Sequence, residues 1–130
     1  MRNDNDRLLT FGLCCIVFSL LLAGCDPCEN ESAVEHPSPD GKWKIVVFER
    51  GCGATVGTNV QMSLLQASRS LPSEAGNLFA IDSNHGASAL EYIFVDWTSN
   101  SSVTITYPVK ARVFKQEKRI GDVIVNYISK

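Results

Sequence analysis

Residues 8–24, LLTFGLCCIVFSLLLAG, run for 17 positions without a charged side chain. A helix of that length, at ~1.5 Å per residue, sits at the low edge of what crosses a hydrocarbon core of ~30 Å. Before it, MRNDNDR sets the α-amine, Arg2 and Arg7 against Asp4 and Asp6, which leaves a net charge of about +1. Small residues, Ala23 and Gly24, close the run. A weakly positive start, an apolar centre and a small-residue end make up a secretory signal; a retained membrane anchor is the plain alternative. Either way the first 24 residues stand apart from the fold, and the rest of the 130 suffices for one domain.

The next residue decides between the two. Leu22-Ala23-Gly24-Cys25 resembles the lipobox of bacterial lipoprotein precursors: a Leu, two small residues and an obligatory Cys at the end of the apolar run. The pattern has a physical basis. Small side chains let an extended backbone enter a signal peptidase, and the thiol is the nucleophile that takes up a diacylglycerol. The resemblance implies cleavage between Gly24 and Cys25, a thioether-linked lipid on Cys25 and an added acyl chain, such as palmitate, on the new amine. Two or three chains hold firmly where one is marginal, at ~0.8 kcal/mol per buried CH₂. The expected place is a cell membrane, lipid-anchored and facing the periplasm or exterior. Asp26, directly after the lipidated Cys, resembles the inner-membrane retention signal of enteric-type lipoproteins.

The chain has five cysteines, and this reading sorts them. Cleavage removes Cys14 and Cys15, lipid consumes Cys25, and Cys28 and Cys52 remain. Outside the cytoplasmic membrane thiols tend to be oxidised, so a Cys28–Cys52 disulfide is expected, against the alternative of free or intermolecularly paired thiols. It closes a loop of about 25 residues, worth ~3 kcal/mol in the chain-entropy picture. Cys25 and Cys28 are separated by a span of ~10 Å at most, so the bridge pins the loop RGCGATVG close to the lipid headgroups. Without it, residues 26–39 form a tether reaching ~45 Å. That segment is acidic (Asp26, Glu29, Glu31, Glu35), carries Pro27, Pro37 and Pro39, and has no Lys or Arg. Such a composition resists packing. The expected organisation is a signal peptide over 1–24, a lipidated Cys and tether over 25–39, and a β domain over 40–130.

From residue 40 the pattern is that of strands, with no helical stripe. SPDG is a turn with Pro at a φ-compatible position and Gly at its end. KWKIVVFER has apolar centres on both faces, which marks an interior strand of a layered structure. NVQMSLLQA alternates as a half-buried strand, NLFAIDS is shorter, and ALEYIFVDW is again apolar on both faces. SSVTITYP gives a Val103, Ile105, Tyr107 row after the hairpin turn TSNSS. ARVFKQE and DVIVNYISK, separated by KRIG, are expected to form the closing hairpin. About seven strands of this kind predict an all-β fold: a small antiparallel sandwich, an open barrel or a curved meander.

The chemistry-bearing residues are few. Gly51, Gly53 and Gly57 match neither the dinucleotide nor the P-loop spacing and read as a hairpin loop presenting Cys52. A Cys52–His85 nucleophilic pair, or a zinc site from Cys28, His36, Cys52 and His85, rests on residue types alone, without CxxC or HxxxH spacing. No cofactor or metal is expected. Glu91 and Asp96 differ in parity along their segment and read as surface groups rather than a catalytic pair. Lys110, Arg112, Lys115, Lys118 and Arg119, with Val113 and Phe114 between them, form the one charge cluster, a candidate docking surface or a solvated sheet edge. A net charge of −2 gives no basic field for nucleic acid. From about Ser38 the chain also resembles small uncharacterised bacterial envelope proteins, in SPDGKWKIVVFERGCGAT and in ARVFKQE, a likeness that brings no reaction with it. The expected role is a binding or structural module for an envelope protein or the cell wall. The alternatives are an inhibitor or immunity lipoprotein that blocks a hydrolase with a loop, and an enzyme using Cys52 or His85.

Overall fold

A computed structural model describes residues 27–53, 57–82 and 89–130. The expected signal peptide, Gly24, Cys25, Asp26 and His85 lie outside the described residues.

The fold is all-β: two sheets packed face to face, with their edges left open rather than closed into a barrel. The first sheet has the order β1-β2-β3-β4-β7, from β1 (Glu29–Pro37), β2 (Trp43–Gly51), β3 (Thr58–Gln66), β4 (Phe79–Asp82) and β7 (Val113–Gln116). The second has the order β5-β6-β9-β8, from β5 (Phe94–Ser99), β6 (Ser102–Tyr107), β9 (Val123–Ser129) and β8 (Arg119–Ile120). Pairing is antiparallel except between β6 and β9. A short 3-10 turn at Leu90–Tyr92 leads into β5.

The core lies between the sheets, where alternate residues of each strand point inward. Ile45, Val47, Val60, Met62, Leu64, Phe79 and Ile81 of the first sheet meet Val103, Ile105, Val123 and Val125 of the second. Phe79 packs against Tyr107 and Tyr127, with ring centroids 5.1 and 5.0 Å away. The Tyr127 hydroxyl donates to the Glu117 carbonyl at 2.6 Å, and burial raises its pKa far above the ordinary phenol value. At the other side of the sandwich the Trp97 indole N–H donates to the His36 carbonyl at 3.1 Å, tying β5 to β1.

Expectation and structure agree on several elements. β2 is an interior strand with both faces covered, as its two apolar rows predict. The Val103, Ile105, Tyr107 row faces the core, and TSNSS forms the β5–β6 hairpin. SPDG is a tight turn: the Ser38 hydroxyl donates to Asp40 Oδ1 at 2.8 Å and accepts from the Trp43 N–H at 3.0 Å, with Gly41 at φ 66°. The Ser38 hydroxyl and then the Lys42 N–H hold the Asp40 carboxyl below its usual pKa.

Three expectations are corrected. Residues 29–37 are no tether; they form the edge strand β1, so the β domain begins well before residue 40. The acidic strand is accepted because β2 meets it with cations. Lys44, 8% exposed, donates to Glu35 at 2.7 Å, and Arg50, 4% exposed, donates to Asn30 at 2.6 Å. Second, β7 and β9 form no hairpin. β7 completes the first sheet beside β4, the chain crosses between sheets at 117–118, and the hairpin is the smaller one between β8 and β9 around Gly121. Third, β3 is buried on both faces, because residues 67–77 fold back over its outer side.

Candidate functional site

The backbone register gathers the residues of interest at one end of the sandwich. Glu29 lies opposite Gly51, which sets Cys28 and Cys52 side by side one step beyond, with Cα atoms 3.9 Å apart and a disulfide between them. The bridge closes the open end of the β1–β2 hairpin, whose other end is closed by the Ser38 turn. A long hairpin on a sheet edge is prone to fray, and this one is fastened at both ends. Continuing across the sheet, Gly51 faces Thr58, Asn59 faces Asp82, and Asp82 meets Arg112 through backbone and side chain. The Arg112 guanidinium lies 3.6 Å from the Asp82 carboxylate and 4.8 Å over the Phe114 ring.

The second sheet brings its own end to the same place. Phe94, Thr106 and Ile128 form one row across it, and residues 108–112 carry the chain from β6 to the start of β7. The Val109 N–H donates to the Lys130 carbonyl and the Lys130 N–H to the Tyr107 carbonyl, fixing that connection. The opposite end of the sandwich holds the Ser38 turn, Trp43 and the β5–β6 turn.

The predicted site residues fall as follows. Cys28 and Cys52 are brought together and consumed by each other, so neither offers a thiolate for catalysis or for zinc in this state. His36 is half-buried on β1 opposite Ile45, and burial lowers its pKa. Among the described residues no group of three His, Cys, Asp or Glu side chains is arranged to hold a metal ion. Glu91 and Asp96 are exposed, on the 3-10 turn and on the outer face of β5.

The five-residue basic cluster is not one patch. Lys110 and Arg112 stand at the Cys28–Cys52 end, while Lys118 and Arg119 lie past the far end of β7. Arg119 donates to the Gly121 carbonyl at 3.3 Å inside its own hairpin. Lys115 is half-buried and donates to the Gly76 carbonyl at 3.2 Å, holding the segment over β3.

That segment is what sequence reasoning missed. Val46, Phe48 and Leu65 form a second small core on the outer side of the first sheet, with Leu71 packed on them. Asn77 acts as a substitute strand residue: its side chain accepts from the Leu64 N–H at 2.9 Å and donates to the Leu64 carbonyl at 3.0 Å. Gln61 accepts from the Gly76 N–H at 2.6 Å, and Ser63 from the Asn77 N–H at 3.3 Å. Asn30 donates to the Pro72 and Glu74 carbonyls. The signal was the apolar outer row of β2, which needs a cover that no neighbouring strand supplies.

A shallow hollow lined by Gly41, Lys42, Trp43, Gln66, Ala67 and Ser68 lies at the end away from the disulfide and holds no convergent catalytic groups. Comparison with protein-family models, with curated proteins and with solved structures finds no match for this chain.

Proposed function

We propose that the chain is the precursor of a membrane-anchored envelope lipoprotein, held by lipid on Cys25, whose β domain is a binding or structural module rather than an enzyme. The observation that carries this reading is the Cys28–Cys52 disulfide. With Cys14 and Cys15 removed in the signal and those two paired, Cys25 is the one thiol of the mature chain left to take an acyl group. Its distance along the chain is short: Asp26 and Pro27 alone separate it from the bridge. Lipid on Cys25 is then coupled to the sheet through a covalent staple rather than through a loose tail.

The binding role follows from what the surface offers. Cys52 is unavailable as a nucleophile while bridged. The broad strand faces suit contact with an envelope protein or the wall. Labelling cells with palmitate tests the anchor: wild-type protein carries label and sediments with membranes, whereas Cys25→Ser loses the label and retains the uncleaved signal. Equal labelling of the two contradicts the proposal. Photo-crosslinking from exposed strand positions in intact cells tests the binding role, since a stable adduct to one envelope component supports it and a free domain at every position opposes it.

A further inference from the structure

Seven large apolar side chains stand well exposed among the described residues, and their distribution is uneven. Tyr92, Phe94, Val109, Phe114 and Ile128 all lie in the half of the sandwich that carries the Cys28–Cys52 bridge; Val34 lies along β1 and Ile124 at the opposite end. The three most exposed at the rim itself are Tyr92, Phe94 and Val109, at 58, 63 and 66%. Phe94 and Ile128 flank Thr106 in a single cross-strand row, and Tyr92 precedes Phe94 at the end of the 3-10 turn. Beside Val109 stand two exposed lysines, Lys110 and Lys130, the second joined to it by a backbone hydrogen bond.

We infer that this end of the second sheet is a membrane-docking rim, which lays Tyr92, Phe94, Val109 and Ile128 into the headgroup layer of the anchoring bilayer while Lys110 and Lys130 meet anionic lipid phosphates. The inference rests on the lipid-anchor reading and deepens it. Three observations name the bilayer as the occupant. The described chain begins at Pro27, two positions from Cys25, at this same end of the molecule. A rim within reach of the headgroups meets them at high effective concentration, so modest apolar contacts suffice to hold it. Aromatic and aliphatic tips interleaved with Lys form the chemistry that settles at a membrane interface.

Acidic groups set the tilt. Glu29 and Glu31 on β1, beside the bridge, are repelled by anionic lipid, and Glu91 flanks Tyr92. Arg112 has its charge engaged by Asp82. No Asp or Glu occurs within 107–112 or 127–130, so the domain leans on the Val109 side and lifts its β1 edge.

The native tryptophans provide an internal control. Trp43 pairs with Gln66 at the far end, and Trp97 sits by His36, ~10 Å along β5 from Phe94 at ~3.4 Å per residue. The acylated full-length lipoprotein, purified from membranes, is reconstituted in phosphatidylglycerol vesicles containing lipids brominated near the headgroup. The wild-type fluorescence should barely change, whereas the added emission of Phe94→Trp, and independently of Val109→Trp, should fall about twofold or more. Lys110→Glu with Lys130→Glu in those backgrounds should restore it, and phosphatidylcholine vesicles should quench less than phosphatidylglycerol. New tryptophans that stay as bright as the native ones, on protein that sediments with the vesicles, overturn the docking rim while leaving the anchor standing. Equal quenching in both lipids overturns the part assigned to the lysines. Protein that carries no acyl mass and fails to sediment overturns the anchor and the rim together.

Discussion

The two outer faces of the sandwich have been finished differently. On the first sheet, residues 67–77 lie over β2 and β3, cover Val46, Phe48 and Leu65, and supply partners for the polar groups of β3 beneath: Gly76 for Gln61, and Asn77 for Ser63 and the Leu64 backbone. The second sheet has no such cover among the described residues. Its outer face shows Phe94, Thr106 and Ile128 in one row and Asp96, Thr104 and Asn126 in the next. A strand face must be either roofed or made tolerant of water, and the difference is written at alternate positions. Where the outward row is Val and Phe, eleven residues form a roof; where it is mostly Thr and Asn, the described residues form none. The few large apolar groups left on the bare face gather toward the bridged end, a distribution that solvent exposure alone does not require.

Truncating one phenylalanine on each face should separate the two most widely. Phe48→Ala should cost about 3–5 kcal/mol in urea unfolding, because it empties a fully buried site. Phe94→Ala, 63% exposed, should stay within about 0.5 kcal/mol. Similar losses at both would mean that the faces are not finished differently. Next comes the staple at the edge of the roofed sheet. Cys28→Ser with Cys52→Ser should lower stability by about 3 kcal/mol in the same assay, and added reductant should reproduce the loss in the wild type but leave the double variant unchanged.

The roof itself is tested by Gly76→Ala. A Cβ there would lie 2.5 Å from the Met62 carbonyl oxygen, so the segment must lift. The expected cost is about 1–3 kcal/mol, with faster hydrogen exchange confined to residues 61–65 and 74–78. Exchange that quickens throughout the chain would show that the roof is no separate unit. The smallest effect concerns the tie between the sheets at His36. Burial lowers its pKa below 6.5, so in mildly acidic solution the unfolded chain binds a proton that the folded chain resists. Stability should therefore fall as pH drops below about 6.5 and level off beneath the folded value. Subtracting the profile of His36→Gln from that of the wild type isolates this slope from the titration of His85; a difference independent of pH would rule it out.

Much of the layered fold was legible because inward rows announce themselves. Ile45 and Val47, or Val103 and Ile105, recur at a period of two whatever lies around them. The Cys28–Cys52 pairing was legible through thiol accounting rather than through pattern. The acidic strand β1 was not, since its stability comes from Lys44 and Arg50 on a neighbour rather than from its own residues. The exchange of β7 into the first sheet was equally hidden: Val113 and Phe114 alternate in the same way beside β4 as they would beside β9. Nor could the roof be read locally, because SRSLPSEAGN has the composition of any loop, and its role depends on Asn77 meeting a backbone thirteen residues back. The basic cluster shows the converse: five cations close in sequence separate in space once the chain crosses between sheets.

The proposed lipid at Cys25 is joined to the sheet through the neighbouring bridge, and the mass of the native protein tests both at once. Extracted from membranes and measured without reductant, it should begin at residue 25, carry the added mass of a diacylglyceryl group and an acyl chain, and yield one cross-linked peptide containing Cys28 and Cys52. A protein that begins at Met1, carries no lipid, or releases those two cysteines as free thiols would contradict it.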